Sequence, residues 1–173
     1  MTPLPHPLGP GDVVGWRLDQ ARFSTTWDSG EGAYLFGGRW NQQGSRILYA
    51  SLDPATAIVE IAVHKGFDVL DTVPHVLTSF RMNDPSAVHV VVPADVPNAN
   101  WLRPGTPSAG QQRFGDALLA KHAVILISSA VSTHSWNLLM KVPAPEVYDF
   151  LAQEPFALDT RLNPGSTVRE LSG

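Results

Sequence analysis

The sequence contains no cysteine, and this absence excludes disulfides, thiolate nucleophiles and cysteine-ligated zinc sites. Charged residues are also scarce, at 16% of a 173-residue chain, so few ion pairs are expected to stabilise the fold. The formal net charge is −4 and the isoelectric point is near 5.8, whereas proteins that bind duplex nucleic acid usually carry a basic patch. We therefore expect no direct binding of nucleic acid.

Long apolar runs and familiar metal or nucleotide motifs are absent as well. The longest strongly apolar stretch, residues 123–127, is far shorter than the roughly 20 residues that a membrane-spanning helix needs. Residues 1–7 have neither a basic segment nor an apolar core, so no signal peptide is expected. The six histidines lack HxxxH or HExxH spacing, which argues against a metal site. A cytoplasmic protein with no membrane partner is the expectation.

Local patterns predict one α+β domain over residues 12–173, preceded by an irregular, proline-rich lead-in over residues 1–11. Apolar and β-branched runs predict six strands, over residues 12–18, 46–50, 74–82, 87–92, 123–128 and 156–162. The Gly- and Ser-rich segment 24–44 and the proline-rich segment 93–107 are predicted to be largely loop.

Two helices have clear boundary signals. The first is predicted from Pro54 to Lys65, because Asp53 suits the N-cap, Pro54 suits the first helical position, and Gly66 suits the end. The second is predicted between residues 108 and 122, where a serine and a glutamine three residues later match a capping box. Strands dominate the remainder, so the two helices are expected to flank a sheet.

The first helix contains a carboxylate in an unusual setting. Glu60 is the only charged residue in the run PATAIVEIAVH, residues 54–64. A helix that is apolar on nearly every side is normally buried, and a buried carboxylate must be paired, hydrogen-bonded or neutral. Two interpretations are equally consistent with this pattern: a functional carboxylate, or one that reaches solvent or pairs with a structural arginine.

Other polar candidates are individually weak. In Gly-Gly-Arg-Trp-Asn, residues 37–41, the glycines permit a sharp turn and a close approach by a ligand, and Arg39 can present its planar fork to a phosphate. Arg39 is equally suited to bridging a loop to the core. Tyr49, near the end of a predicted strand, is a core residue by default. Ser128 and Ser129 follow an apolar strand, where both pocket residues and ordinary turns occur.

Taken together, these pieces resemble the RES domain, the toxin half of bacterial RES–Xre toxin–antitoxin pairs. GGRWN, then LYAS at residues 48–51, then a helix carrying Glu60 follow one another at the spacing of that family. The resemblance covers almost the whole chain and extends to Trp16-Arg17, to Ser129-Ala130-Val131, to Asn137 and to residues 156–162. The family pattern has a proline where Ser128 stands, so either Ser128 or Ser129 is the candidate for its motif serine.

The resemblance implies a fold like that of ADP-ribosyltransferases: one α+β domain with a split β-sheet and flanking helices. It implies NAD⁺ as the substrate, cleaved between nicotinamide and ribose, with water, phosphate or a protein side chain as acceptor and no metal. The family's essential residues fall on Arg39, Tyr49, Glu60 and Ser129, and a further arginine falls on Arg17. An Xre-type antitoxin is the implied partner. A catalytically silent binding module is the alternative of a different class.

The chemistry of these residue types fits that reaction. Cleavage leaves positive charge on the ribose, which the carboxylate of Glu60 would stabilise. Arg39, together with Arg17, would hold the pyrophosphate. Tyr49 would stack on the nicotinamide, and Ser129 would bind substrate or orient another group of the site.

Overall fold

The computed structural model describes residues 8–164, which contain seven strands and four α-helices. The strands are β1 (Val14–Gln20), β2 (Ile47–Ser51), β3 (His75–Met82), β4 (Val88–Val90), β5 (Val124–Ser128), β6 (Trp136–Lys141) and β7 (Tyr148–Phe156). The α-helices are α1 (Glu31–Phe36), α2 (Pro54–Lys65), α3 (Phe67–Thr72) and α4 (Ala109–Lys121). Short 3-10 helices lie at Ala21–Thr26, Pro85–Ala87, Pro93–Asp95, Ala99–Leu102 and Thr160–Leu162. Within residues 8–164, no helix has both the length and the apolar composition to cross a membrane.

The seven strands form a single sheet in the order β4-β5-β6-β2-β1-β3-β7. Neighbouring strands are antiparallel except for β4 and β5, which are parallel. The sheet is nearly divided between β1 and β2, which are joined through one residue pair, Trp16 with Ser51. By contrast, β1 pairs with β3 along its whole length. The α+β class, the single domain and the split sheet with flanking helices are thus confirmed.

Two apolar clusters set the helices against one face of the sheet. Helix α4 packs Leu119 against Trp40, Ile125, Ile127 and other side chains of β2, β5 and β6. Helices α2 and α3 pack against the other half of the sheet, through a second cluster that lies over β1 and β3: Leu18, Ala62, Leu70, Leu77 and Leu158, with Trp16 and Ile58 at its margin. The helix that carries Glu60 therefore lies over the line where the sheet divides.

The predicted helices and most predicted strands are present. Helix α4 begins after Ser108, whose hydroxyl oxygen accepts a hydrogen bond from the Gln111 N–H at 3.1 Å. The reciprocal bond of a capping box is not made, because the Gln111 amide donates instead to the Trp101 carbonyl at 3.1 Å. The proline-rich segment 93–107 contains two short 3-10 helices and no strand. The predicted strand over residues 87–92 is shorter, Val88–Val90.

The prediction that residues 24–44 are largely loop was wrong in part. A 3-10 helix ends at Thr26, and α1 occupies six residues between two glycines with positive φ, Gly30 at 63° and Gly37 at 72°. A helix of six residues is too short to show an amphipathic period. In the folded protein its Ala33 packs against the cluster under α4.

The C-terminal strand predictions were also wrong. No strand was predicted between residues 128 and 156, yet β6 lies between β2 and β5 at the centre of its half-sheet, with Leu138, Leu139 and Met140 fully buried. The strand predicted over residues 156–162 is instead a 3-10 helix at its end, and the true last strand is Tyr148–Phe156. Strand β7 is an exposed edge strand, so it lacks the apolar alternation that would have identified it.

Of the predicted lead-in, residues 1–7 lie outside the described residues, and residues 8–11 form neither helix nor strand. Leu8 is nevertheless buried in the core with Trp27 and Phe80. The boundary of the domain at residue 12 stays a prediction.

Candidate active site

Helix α2 presents Glu60 because local signals set where the helix begins and ends. The carboxylate of Asp53 accepts hydrogen bonds from the Thr56 N–H at 2.8 Å and from the Thr56 hydroxyl at 2.6 Å. Gly66 ends the helix with a φ of 82°. Between these points the side chain of Glu60 is half-buried, directed toward the ends of β2 and β5 and toward the start of β6.

Three buried polar side chains donate hydrogen bonds to the Glu60 carboxylate. The Ser129 hydroxyl donates to Oε1 at 2.5 Å and the Asn137 amide donates to the same oxygen at 2.8 Å. The Ser51 hydroxyl lies 3.4 Å from Oε2. The three donors are 0%, 9% and 1% exposed, respectively. Without such hydrogen bonds, burial of the carboxylate in this apolar surrounding would be energetically costly.

Between the two candidate serines, the structure brings Ser129 to Glu60. Ser128 is the last residue of β5 and pairs with Trp136, whereas Ser129 follows the strand. The Ser129 N–H donates to the Ser135 carbonyl at 2.8 Å, and its hydroxyl oxygen accepts from the Val131 N–H at 3.2 Å. Both bonds hold the residue in one orientation. A role of Ser129 toward a substrate stays a prediction.

The segment GGRWN folds around the hydroxyl group of Tyr49. This hydroxyl accepts a hydrogen bond from the Trp40 N–H at 3.1 Å and donates one to Asn41 Oδ1 at 2.7 Å. A Cβ atom at Gly38 would lie 2.6 Å from the Tyr49 oxygen, so a glycine is required there for the approach of the tyrosine. Helix α4 holds the same segment, because the Gln112 amide donates to the Gly38 carbonyl at 2.9 Å.

Tyr49 is therefore part of the scaffold that shapes the loop. Its side chain is partly buried and packs against the cluster under α4, with Ile47 and Leu139 among its neighbours. Burial raises the pKa of Tyr49 well above its ordinary range, so the hydroxyl stays protonated and keeps donating to Asn41. The stacking of Tyr49 on a nicotinamide ring stays a prediction.

Arg39 extends from this loop toward the segment that precedes α4. Its guanidinium donates to the Arg103 carbonyl at 3.3 Å and to the Gly105 carbonyl at 3.0 Å. Burial lowers the pKa of Arg39, while the negative charge of Glu60 acts in the opposite direction. An arginine stays cationic at neutral pH despite such a shift. The structure thus places Arg39 within electrostatic reach of Glu60. Its two bonds to carbonyl oxygens use only part of the five N–H donors of the guanidinium, so donors remain for an anion.

Arg17 has a different environment from the other predicted site residues. On β1 it alternates with Trp16, which packs with α2, so Arg17 lies on the opposite side of the strand. Its guanidinium forms a two-point ion pair with Asp19, at 2.9 and 2.8 Å, and donates to the Tyr49 carbonyl at 2.8 Å. Arg17 thereby bridges the division of the sheet. Its predicted contact with a pyrophosphate stays a prediction, and Asp19 already balances its charge.

Sequence reasoning assigned no role to four residues of this arrangement: Ser51, Asn137, Asn41 and Asp19. Asn41, Ser51 and Asn137 entered only within the motifs of the family resemblance. For Asn137 the run WNLLMK carried a usable signal, a single uncharged polar residue ahead of three apolar ones. A polar side chain inside a central strand must find a partner, which points to a site. Within residues 8–164, no group of three or more His, Asp or Glu side chains is placed to hold a metal ion.

Comparison with known proteins identifies relatives that match most of the chain. The sequence model of the RES domain matches residues 14–160. A protein named Toxin Res from Photorhabdus laumondii subsp. laumondii is 25% identical over 158 residues, covering 87% of this chain and 97% of that protein. A protein of Sphingobium sp. named Prs ADP-ribosylating toxin is 28% identical over 147 residues, covering 80% of this chain and 88% of that protein.

A solved structure shares the fold. The crystal structure of the M. tuberculosis MbcT–MbcA toxin–antitoxin complex contains a chain that superposes with a TM-score of 0.69, covering 85% of each chain at 17% sequence identity. At that level of identity the likeness concerns the arrangement of strands and helices.

Proposed function

The chain belongs to the RES-domain family, and from that premise we propose that it is a toxin that consumes NAD⁺. In the proposed reaction, the bond between the nicotinamide nitrogen and the ribose carbon C1″ breaks, and nicotinamide leaves with the bonding electrons. Water then attacks C1″ in a glycohydrolase, giving ADP-ribose. In a phosphorylase, phosphate attacks the same carbon, giving ADP-ribose 1″-phosphate.

The observation that carries this proposal is the held carboxylate of Glu60. It lies in an otherwise apolar helix segment, it accepts short hydrogen bonds from Ser129 and Asn137, and it is within electrostatic reach of Arg39. A preorganised carboxylate stabilises the positive charge that develops on the ribose as nicotinamide leaves, and it does so more strongly in a site of low dielectric. The remaining donors of Arg39 suit the pyrophosphate of the same substrate.

A second candidate is ADP-ribosylation of a protein, with a side chain of the target as acceptor. The name of the Sphingobium relative favours this activity for that protein. The same carboxylate would serve both reactions, since they share the departure of nicotinamide and differ only in the nucleophile.

We also propose that an Xre-type antitoxin neutralises this protein in the cytoplasm, where NAD⁺ is available. Support comes from the structural neighbour, which was solved as a toxin–antitoxin complex. The measurement is NAD⁺ turnover after addition of the purified antitoxin. Undiminished turnover in a stable complex would contradict the proposed neutralisation.

The test of the enzymatic proposal is NAD⁺ consumption by the purified protein, with and without phosphate, followed by product identification. The wild-type protein is expected to release nicotinamide together with ADP-ribose or its 1″-phosphate. Glu60→Gln removes the negative charge and is expected to lower kcat by about 100-fold or more. The matched control is Glu154→Gln, an exposed carboxylate on β7, which is expected to react as the wild type does.

The outcomes separate the alternatives. Release of nicotinamide that is lost in Glu60→Gln and retained in Glu154→Gln supports turnover at this site. Dependence of that release on phosphate identifies phosphate as the acceptor, and independence of phosphate identifies water. Transfer of labelled ADP-ribose to protein, without free ADP-ribose, supports the second candidate. Wild-type activity in Glu60→Gln, or a folded wild-type protein that neither consumes NAD⁺ nor labels any protein, overturns the enzymatic proposal and favours a silent binding module.

A further inference from the structure

The two oxygens of the Glu60 carboxylate are held unequally. Oε1 accepts two short hydrogen bonds, from Ser129 at 2.5 Å and from Asn137 at 2.8 Å. Among residues 8–164, the one hydrogen-bond donor to Oε2 is the Ser51 hydroxyl, at 3.4 Å, near the limit of a hydrogen bond. One oxygen is therefore fixed by the protein, and the other retains most of its capacity to accept.

The orientation of the Asn137 amide follows from chemistry as well as from distance. An ionised carboxylate only accepts hydrogen bonds, so the amide nitrogen of Asn137 must face Glu60. That nitrogen also lies 3.2 Å from the Ser51 hydroxyl oxygen and 3.5 Å from the Ala50 carbonyl oxygen. The contact with Glu60 is the shortest of the three, and it joins β6 to a helix 77 residues earlier in the chain.

The position of Asn137 makes this contact rigid. It lies on β6 between β2 and β5, paired with Ser51 on one side and Ile127 on the other. Its side chain is 9% exposed, and the next three residues of the strand are fully buried. A donor mounted on a central strand is held more precisely than one on a loop, so it can determine how a carboxylate on a neighbouring helix is turned.

We infer that Asn137 is a positioning residue for the proposed reaction: it holds Oε1 of Glu60 and thereby leaves Oε2 as the oxygen that faces the ribose. This inference rests on the proposed function. Asn137 does not itself contact the reacting atoms. Its amide donates to the Glu60 carboxylate, and Arg39 is the cation that acts on the same group.

Asn137→Asp is the sharpest test, because it keeps the shape and replaces the donor with a second carboxylate. Two carboxylates in contact cannot both ionise readily, so the acidic limb of the profile of kcat against pH is expected to move to higher pH. At neutral pH, kcat is expected to fall by about 100-fold while KM for NAD⁺ changes by less than about threefold. The matched control is Asn83→Asp, an exposed asparagine whose amide donates to the Glu146 carbonyl.

Asn137→Ser provides the test if the aspartate variant does not fold, since it adds no charge and retains a shorter donor. Its kcat is expected to fall by about tenfold with KM nearly unchanged. A purely structural role for Asn137 predicts a lower melting temperature with wild-type kcat and pH profile per folded molecule, and that result overturns the inference.

Wild type and Glu60→Gln are measured in the same series. If the wild type consumes NAD⁺ and Glu60→Gln does not, a wild-type profile in the Asn137 variants overturns this inference alone. If the wild type has no activity, the proposed function fails and this inference with it.

Discussion

At the scale of single residues, the hydroxyl of Tyr49 is the point where the GGRWN loop joins the sheet. It accepts a hydrogen bond from the Trp40 N–H and donates one to the side-chain oxygen of Asn41. The Asn41 amide nitrogen in turn donates to the carbonyls of Ala33 and Gln42, at 3.1 and 2.8 Å. Asn41 is fully buried. The loop that carries Arg39 is thus closed by one small network of buried hydrogen bonds, and its geometry depends on that network being complete.

Removal of the hydroxyl is expected to disturb substrate binding as well as stability. Tyr49→Phe keeps the ring but leaves the Trp40 N–H and the Asn41 oxygen without their partner, at a cost of about 1–3 kcal/mol. Because Arg39 is carried by the loop, KM for NAD⁺ is expected to rise. Thermal unfolding and steady-state kinetics measure the two effects. If Tyr49 acted only by stacking on a ring of the substrate, the phenylalanine variant would retain both wild-type stability and wild-type KM.

The Glu60 carboxylate shows the same dependence on buried polar partners. Its three donors come from two strands and from the residue after a third strand, and each is almost fully buried. A buried carboxylate in a helix is consistent with a structural or a functional role. The unequal treatment of its two oxygens favours a functional role, because a carboxylate held only for stability would gain from donors on both oxygens.

At the scale of elements, α4 supports the loop from behind. Gly115 is buried where the helix meets Trp40, and a Cβ atom there would lie 2.0 Å from the Trp40 carbonyl oxygen. No side chain fits at that distance. The close approach of a helix backbone to a loop backbone is the reason for glycine in the middle of a helix, where it otherwise lowers stability.

Gly115→Ala is expected to push α4 away from the loop. The helix would gain propensity, but the overpacking cost of about 1–3 kcal/mol is larger, so the melting temperature is expected to fall and KM for NAD⁺ to rise. Gly110→Ala, in the first turn of the same helix, is the matched control. A Cβ atom there would lie 3.4 Å from the Trp101 ring, an ordinary contact, so equal or higher stability is expected. Equal behaviour of the two variants in thermal unfolding and kinetics would contradict this account of the packing.

The two halves of the sheet are joined at a single residue pair and by the side chain of Arg17. Where β1 and β2 separate, the Tyr49 carbonyl would lack a strand partner, and the Arg17 guanidinium donates to it at 2.8 Å. Asp19 holds that guanidinium in place through two further bonds. In this arrangement Arg17 shapes the opening between the halves, whether or not it also binds a phosphate.

At the scale of the whole molecule, an aromatic cluster stabilises the half of the sheet formed by β1, β3 and β7. The rings of Trp27, Phe80 and Tyr148 are in mutual contact, with centroids 5.4–5.7 Å apart. The Tyr148 hydroxyl donates to Asp28 at 2.5 Å. Burial, with this hydrogen bond second, raises the pKa of Tyr148 well above its ordinary value. Ionisation of Tyr148 is therefore linked to unfolding.

Stability is expected to fall in alkaline solution for this reason. Because the folded protein holds the proton to higher pH than the unfolded chain does, the contribution is present below about pH 10, the ordinary pKa of tyrosine, and is lost as pH rises above it. Tyr148→Phe is expected to lessen the decline of the free energy of unfolding with pH, measured by denaturant titration at a series of pH values. Tyr34→Phe, an exposed tyrosine on α1, is the control. An identical decline in wild type and Tyr148→Phe would refute the linkage.

The sequence alone was enough to predict the elements whose signals are local. Helix α2 from Pro54 to Lys65 follows from the cap at Asp53 and the stop at Gly66, and buried strands such as β5 follow from uninterrupted apolar runs. The residues Arg39, Tyr49 and Glu60 were each ambiguous by themselves and became candidates through the resemblance to the RES domain; their catalytic roles stay predictions. An exposed edge strand such as β7 and a six-residue helix such as α1 carry no such signal, because their conformations are set by neighbours distant in sequence.

Only the tertiary structure decided which polar groups meet. Glu60 and Asn137 are 77 residues apart, and Ser129 rather than Ser128 reaches the carboxylate because β5 ends one residue earlier. Tertiary packing likewise places the Arg17 guanidinium against the Asp19 carboxylate and against the Tyr49 carbonyl, at the division of the sheet. Caps and apolar periods act through neighbours along the chain, whereas a hydrogen bond between a helix and a distant strand exists only after both have packed on a common core.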